Sequence, residues 1–301
     1  MQMRNYILAV AAIALLVSAP RWGWAQTSAN KVPEPREVGI LTKDGINLTA
    51  TYYESERAKL AVPVLMLHAF EGSRVDYHDV ALQLQKDGYA VLVPDLRGHG
   101  KSVRQGDRTL DYDKFRPADI TAMARDLEAC KNFLIQENNR EKLNIDALTI
   151  VAAEQSCLLA VNYTALDWSF PPLPGGHKQG QDVKALVLLS PPWQFKSLNM
   201  IQALNHRSLQ SSVAVYVIVG DRNRTAQADA KKIMQQLDKG RRSDMEPNAI
   251  LLEVNTTLQG TKMLNLPGLD LTNKYVAKFI DIYARERNFP WKERSSPFSG
   301  N

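Results

Sequence analysis

The sequence predicts an α/β fold: a mostly parallel central sheet with an N-terminal hairpin, helices on both faces and a small cap or none. Three observations carry this. Six apolar runs have the length and continuous hydrophobicity of strands buried on both faces. Segments with helical spacing lie between them, and the two alternate regularly over most of the 301 residues.

The elements follow in order. REVGILT, KDG and INLTATYYE alternate apolar and polar residues about a glycine-containing turn, the pattern of a β-hairpin. VPVLMLHA, YAVLVPD, LTIVAA, KALVLLS, VAVYVIVG and AILLEVN then read as buried strands. Helical spacing appears in DYHDVALQLQKDG, ITAMARDLEACKNFLIQEN, SCLLAVNYTAL, TAQADAKKIMQQL and the closing NKYVAKFIDIYARER. Such alternation gives parallel strands joined by right-handed crossovers. FPPLPGGHKQGQ is a loop, and residues 191–210 have the length for a small lid. Ligands bind such sheets beyond the carboxyl ends of the strands, so chemistry is sought there.

The first residues, MQMRNYILAVAAIALLVSAPRWGWAQ, combine a basic start at Arg4, an apolar run and small residues at Gly23 and Ala25. That is the pattern of a secretory signal cut after Ala25, and the apolar run is short for a membrane span. The expected organisation is a signal at 1–25, a Pro-containing linker at 26–35, one domain at 36–287 and a tail at 288–301. Export to the periplasm or the medium follows, with no membrane contact after cleavage.

Cleavage removes Arg4 and Arg21 and no acid, so the formal charge falls from +5 to +3. The basic residues are scattered apart from Lys239 to Arg242 and Arg285 to Arg294, which read as a solvated helix face and tail; a nucleic-acid partner gains no support. Cys130 and Cys157 are too few for a disulfide framework and fall in apolar helical context, the setting of buried free thiols. No zinc-ligand spacing, P-loop or dinucleotide-binding glycine turn occurs, so neither a metal nor a cofactor is expected.

VLMLHAFEGS and VPDLRGHGKS, following the first two long parallel strands, resemble the HG-type oxyanion loop and the D-x-R-G-H-G-x-S segment of α/β hydrolases. The resemblance runs from about residue 36 to 287 in strand and motif order. It implies a nucleophile elbow in TIVAAEQSCLLA, with Ala152 and Ser156 in the two crowded places and Glu154 in the nucleophile's place. It puts Asn223 of VYVIVGDRNRT at the acid, with Asp221 nearby, and Gln259 of LQGTKML at the histidine. The oxyanion and cleft residues it implies are His68, Ala69, Phe70, Glu71 and Gln155, with His68 and His99 shaping loops.

A serine nucleophile needs an oriented base to take its proton. Glutamate is a weak nucleophile, and a carboxylate elbow of the haloalkane dehalogenase kind still requires a histidine to activate water, which Gln259 cannot supply. No histidine follows His206. The carboxylate of Glu154 is expected to take up the amides around Phe70 and Gln155, filling the site.

Three readings compete. A non-catalytic member binds an unidentified small molecule or peptide in the cleft; a hydrolase works through a rearranged set such as Ser156 or Ser190 with His206, or His177; an interaction protein has no cleft at all. Glu154 with Glu71 as a carboxylate pair is a weaker enzymatic idea, since glycoside chemistry would be foreign to the fold.

Overall fold

A computed structural model describes residues 32–173, 178–240 and 248–294. The expected signal, His177, Arg241, Arg242 and the last seven residues lie outside these. Among the described residues no helix is long and apolar enough to cross a membrane.

Eight strands form one sheet: β1 (Arg36–Leu41), β2 (Asn47–Tyr53), β3 (Pro63–Leu67), β4 (Ala90–Pro94), β5 (Leu148–Ala153), β6 (Val183–Leu189), β7 (Ala214–Gly220) and β8 (Ala249–Val254). Their spatial order is β1-β2-β4-β3-β5-β6-β7-β8. β2 pairs antiparallel with β1 and β4, and every other neighbour is parallel. The expected hairpin, six parallel strands and their order along the chain are all present.

Period-2 alternation divides each central strand between two cores. Leu65 and Leu67 of β3 and Ile150 and Ala152 of β5 enter one core, packed by the helices α3 (Ala124–Asn139), α4 (Ser156–Ser169) and α7 (Arg224–Lys239). Val64, Met66, Val151 and Ala153 enter the other, against α1 (His78–Lys86) and the C-terminal helix. The helix expected over 120–138 is broken at Met123, with α2 (Pro117–Ala122) before it. The C-terminal helix is mostly π-helical, over Thr272–Ala277 and Asp281–Arg285 about the short α8 (Lys278–Ile280). The wider turn keeps Val276, Ile280 and Ala284, four residues apart, together on the buried side.

Residues 288–294 of the tail lie against the domain. Trp291 Nε1 donates to the Leu143 carbonyl (3.1 Å), and the side-chain amides of Asn138 and Asn144 donate to the carbonyls of Lys292 and Phe289. Arg294, its side chain 8% exposed, pairs with Asp146 and Asp182 beside the buried Lys131–Asp167 pair, and Arg285 pairs with Asp281 over the Tyr89 ring. This basic cluster is therefore partly an internal ion network, because its strap closes over the base of the sheet.

The chain leaves β3 toward β4 and leaves β5 toward β6, so the order reverses between β3 and β5. Register aligns Leu67 with Ala152, Ala153 with Leu189, and Gly220 with Val254, which brings the loops after these strands to one level.

Candidate functional site

β5 is buried throughout and stops at Glu154, whose φ of +50° makes a left-handed turn into α4. The Glu154 N–H donates to the Leu189 carbonyl (2.8 Å), and its own carbonyl accepts from the Cys157 N–H (2.9 Å), so the turn is held on both sides. Ala152 and Ser156, flanking it two residues away, have no exposure. Ser156 Oγ donates to the His68 carbonyl and stitches α4 to the end of β3, so it faces the interior and is unavailable as a nucleophile. Cys157 and Cys130 are free, buried thiols, each pushed well up by burial.

The loop after β3 is fixed by the second motif. His68 Nε2 accepts from the Leu96 N–H (3.1 Å), which leaves the proton on Nδ1 to bond the Ala69 carbonyl (2.7 Å); burial lowers the ring's pKa to about 4. His99 sets its two nitrogens 2.9 and 2.8 Å from the carbonyls of Arg97 and Phe70 and stacks on Tyr112. Asp95 accepts from the backbone N–H groups of Arg74 and Lys101, and Arg97 pairs with buried Asp126. The two histidines are structural.

Of the oxyanion residues, His68, Ala69 and Phe70 are buried and Glu71 is exposed; only Gln155 reaches the cleft. The Phe70 N–H is met by Gln155 Oε1 at 3.4 Å, not by Glu154. The Glu154 carboxylate takes no hydrogen bond or ion pair from any described residue. The expected filling of the donors by Glu154 does not occur, because the neighbouring amide side chain occupies the donor first.

A cleft of about 160 Å³ opens over the turn, and Glu154, Asn223 and Gln259 all line it. Burial, then the charge of Glu71, raises the Glu154 carboxyl pKa, with Lys262 working against them. Asn223 is the N-cap of α7, its Oδ1 accepting from the Ala226 N–H (3.1 Å). Asp221 lies outside the lining, with Oδ1 buried and unpartnered. Gln259 donates from Nε2 to the Thr257 carbonyl (3.3 Å), while its Oε1 is buried with no partner. Gly260, at φ +57°, admits the carboxylate: a Cβ there would lie 2.4 Å from Glu154 Oε1.

Ser190, 6% exposed, also lines the cleft and accepts from the Gly260 N–H (3.0 Å). Asp229, Pro191 and Pro192 complete the walls. Asp229 was missed; the signal was available, since it stands one helical turn beyond Thr225 in α7 and faces the same way.

His206 caps α6 (Arg207–Ser211), its Nδ1 accepting from the Ser208 N–H and its Nε2 3.3 Å from Ser169 Oγ. His78 is exposed and bonds the Tyr53 hydroxyl. Among the described residues, no histidine lines the cleft and no group of three metal-ligating side chains exists. The expected lid is a small cap: a two-residue hairpin (Gln194–Phe195 with Leu198–Asn199), α5 (Ile201–Leu204) and α6, with Phe195 edge-on to Phe70.

The solved structures this chain is similar to include an esterase of Pyrococcus furiosus (18% identity, TM-score 0.61, covering 83% of this chain and 92% of that one). A dienelactone hydrolase of Anabaena variabilis matches at 18% identity and TM-score 0.61 over 84% and 99%. An esterase of Exiguobacterium antarcticum matches at 15% and 0.52 over 81% and 99%. At these identities the likeness shows the fold alone. No curated protein matches the sequence. A family model described as the alpha/beta hydrolase fold matches residues 62–239, more than half of the chain, and with the strand order above it follows that this protein belongs to the α/β-hydrolase fold family.

Proposed function

We propose that this is an exported α/β-hydrolase-fold protein that binds a small molecule or peptide in the cleft over Glu154 and does not hydrolyse it by the serine, histidine and acid route. The observation that carries the reading is the cleft's own composition. The strained turn presents a carboxylate in place of a hydroxyl, and no described imidazole stands over it to move a proton. The position that would orient such a base is held by Asn223, whose side chain caps a helix. An open, unpaired carboxylate in a half-buried cleft is what a binding site offers to an incoming partner.

A second reading, hydrolysis by a rearranged constellation, is favoured by one feature: the buried hydroxyl of Ser190 borders the cleft on a backbone with φ +54°. Among the described residues no base joins it in that scheme, since His206 is engaged with Ser169 and Ser208.

One preparation tests both parts. Expressed with its first 25 residues and purified from the exported fraction, the protein is expected to begin at Gln26 by mass and to remain unlabelled by a serine-directed fluorophosphonate. Stoichiometric labelling of one serine would overturn the binding reading, and an uncut N-terminus in the cytoplasmic fraction would overturn export.

A further inference from the structure

We infer that the ligand of this cleft is a small organic cation, a primary ammonium or guanidinium group on a short apolar stem. The inference deepens the binding reading and rests on it.

The charge of the cleft lining points one way. Glu154 and Asp229 bring two carboxylates, and the lining contains no lysine or arginine among the described residues. Asp229 is engaged by the Trp193 N–H (3.1 Å) and by Lys232 (3.4 Å), whereas Glu154 takes no such bond. The Oε1 of Gln259 is a buried acceptor with no donor, which carries a desolvation cost until something donates to it. Ser190 is nine-tenths buried, accepts one bond from the Gly260 N–H and borders the cleft. Glu154 is thus the carboxylate of the lining left without a partner, beside the side-chain amides of Gln155, Asn223 and Gln259, and a group that carries a positive charge and N–H donors is its complement.

The same geometry disfavours the alternatives. An anion would meet two carboxylates. A neutral ester would seek the Phe70 N–H, which is turned onto Gln155. Burial and the charge of Glu71 raise the Glu154 pKa against the opposing charge of Lys262, and a cation beside the carboxylate offsets that rise where a neutral ligand does not. Pro191, Pro192 and Ala226 give the walls apolar surface for a stem. A volume of about 160 Å³ suits a ligand near the size of benzene, which occupies an engineered cavity of about 150 Å³.

The test is isothermal titration of the purified protein with n-butylammonium and n-butylguanidinium chlorides, against butyrate and 1-butanol as probes of similar size. The expected result is saturable binding of at least one cation, with butyrate and butanol weaker by about tenfold or more, and a similar loss in Glu154→Gln, the scale of one charge-assisted contact. Asp229→Asn is the second variant, should Glu154→Gln fail to fold. Equal binding of butanol or butyrate, lost in the variants, would overturn the cation while leaving the binding reading standing. Cation affinity unchanged in the folded variants, or no binding by either cation, would also overturn it. Protein-dependent hydrolysis of an ester would overturn the binding reading itself.

Discussion

Glu154 holds a left-handed backbone angle that costs a non-glycine residue about 1–3 kcal/mol, and it carries its charge into a half-buried cleft without a partner. Both burdens have a measurable consequence. In the unfolded chain its carboxyl titrates near the ordinary 4.5, and in the fold burial and Glu71 raise it. The folded protein therefore binds that proton more tightly, so this residue's contribution to stability falls as pH rises through the window above 4.5 and stays lost beyond it. Glu154→Gln is expected to be more stable than the wild type near pH 8, with the gap closing below about pH 4 in urea titrations. A gap that is constant with pH would show that the charge is not the cause. Gly260 is the counterpart of this residue, since only the absence of a Cβ leaves space for the carboxylate.

At the scale of elements, the three positions that meet in the cleft each end or begin one: Glu154 between β5 and α4, Asn223 before α7, and Gln259 in the loop after β8. Asn223 is expected to act through its helix. Asn223→Ala should cost about 1 kcal/mol in chemical denaturation, the usual loss of an N-cap, while Asn223→Asp, which retains the cap, should cost little and confer no hydrolysis. A large loss in both would assign the residue a role beyond capping. These positions were legible through the resemblance to α/β hydrolases, which assigns all three, and the apolar runs agree with it, since a parallel sheet puts the strand ends at one level. The contacts among them were not. That Gln155 reaches the Phe70 N–H ahead of Glu154 depends on side-chain rotamers, and that Asp229 joins the wall depends on how α7 packs beside β7.

The whole molecule obeys the same division. The succession of strands along the chain and their two-sided burial follow from local pattern, and the loop-shaping roles of His68 and His99 from the resemblance carried by the HG-type loop and the D-x-R-G-H-G segment. The docking of residues 288–294 was not legible, because Arg294 finds Asp182 and Asp146 across more than a hundred residues of chain, and nothing local announces such a pairing. The fold then aligns strand ends to make a cleft, and the residues placed there decide its use: a carboxylate at the turn, amides at the two flanking positions, and a buried serine to one side. The most direct measurement of that use is the turnover of p-nitrophenyl butyrate by the purified protein beside Ser190→Ala and Glu154→Ala. A rate equal to buffer in all three is the predicted result; a protein-dependent rate abolished by either substitution would contradict it.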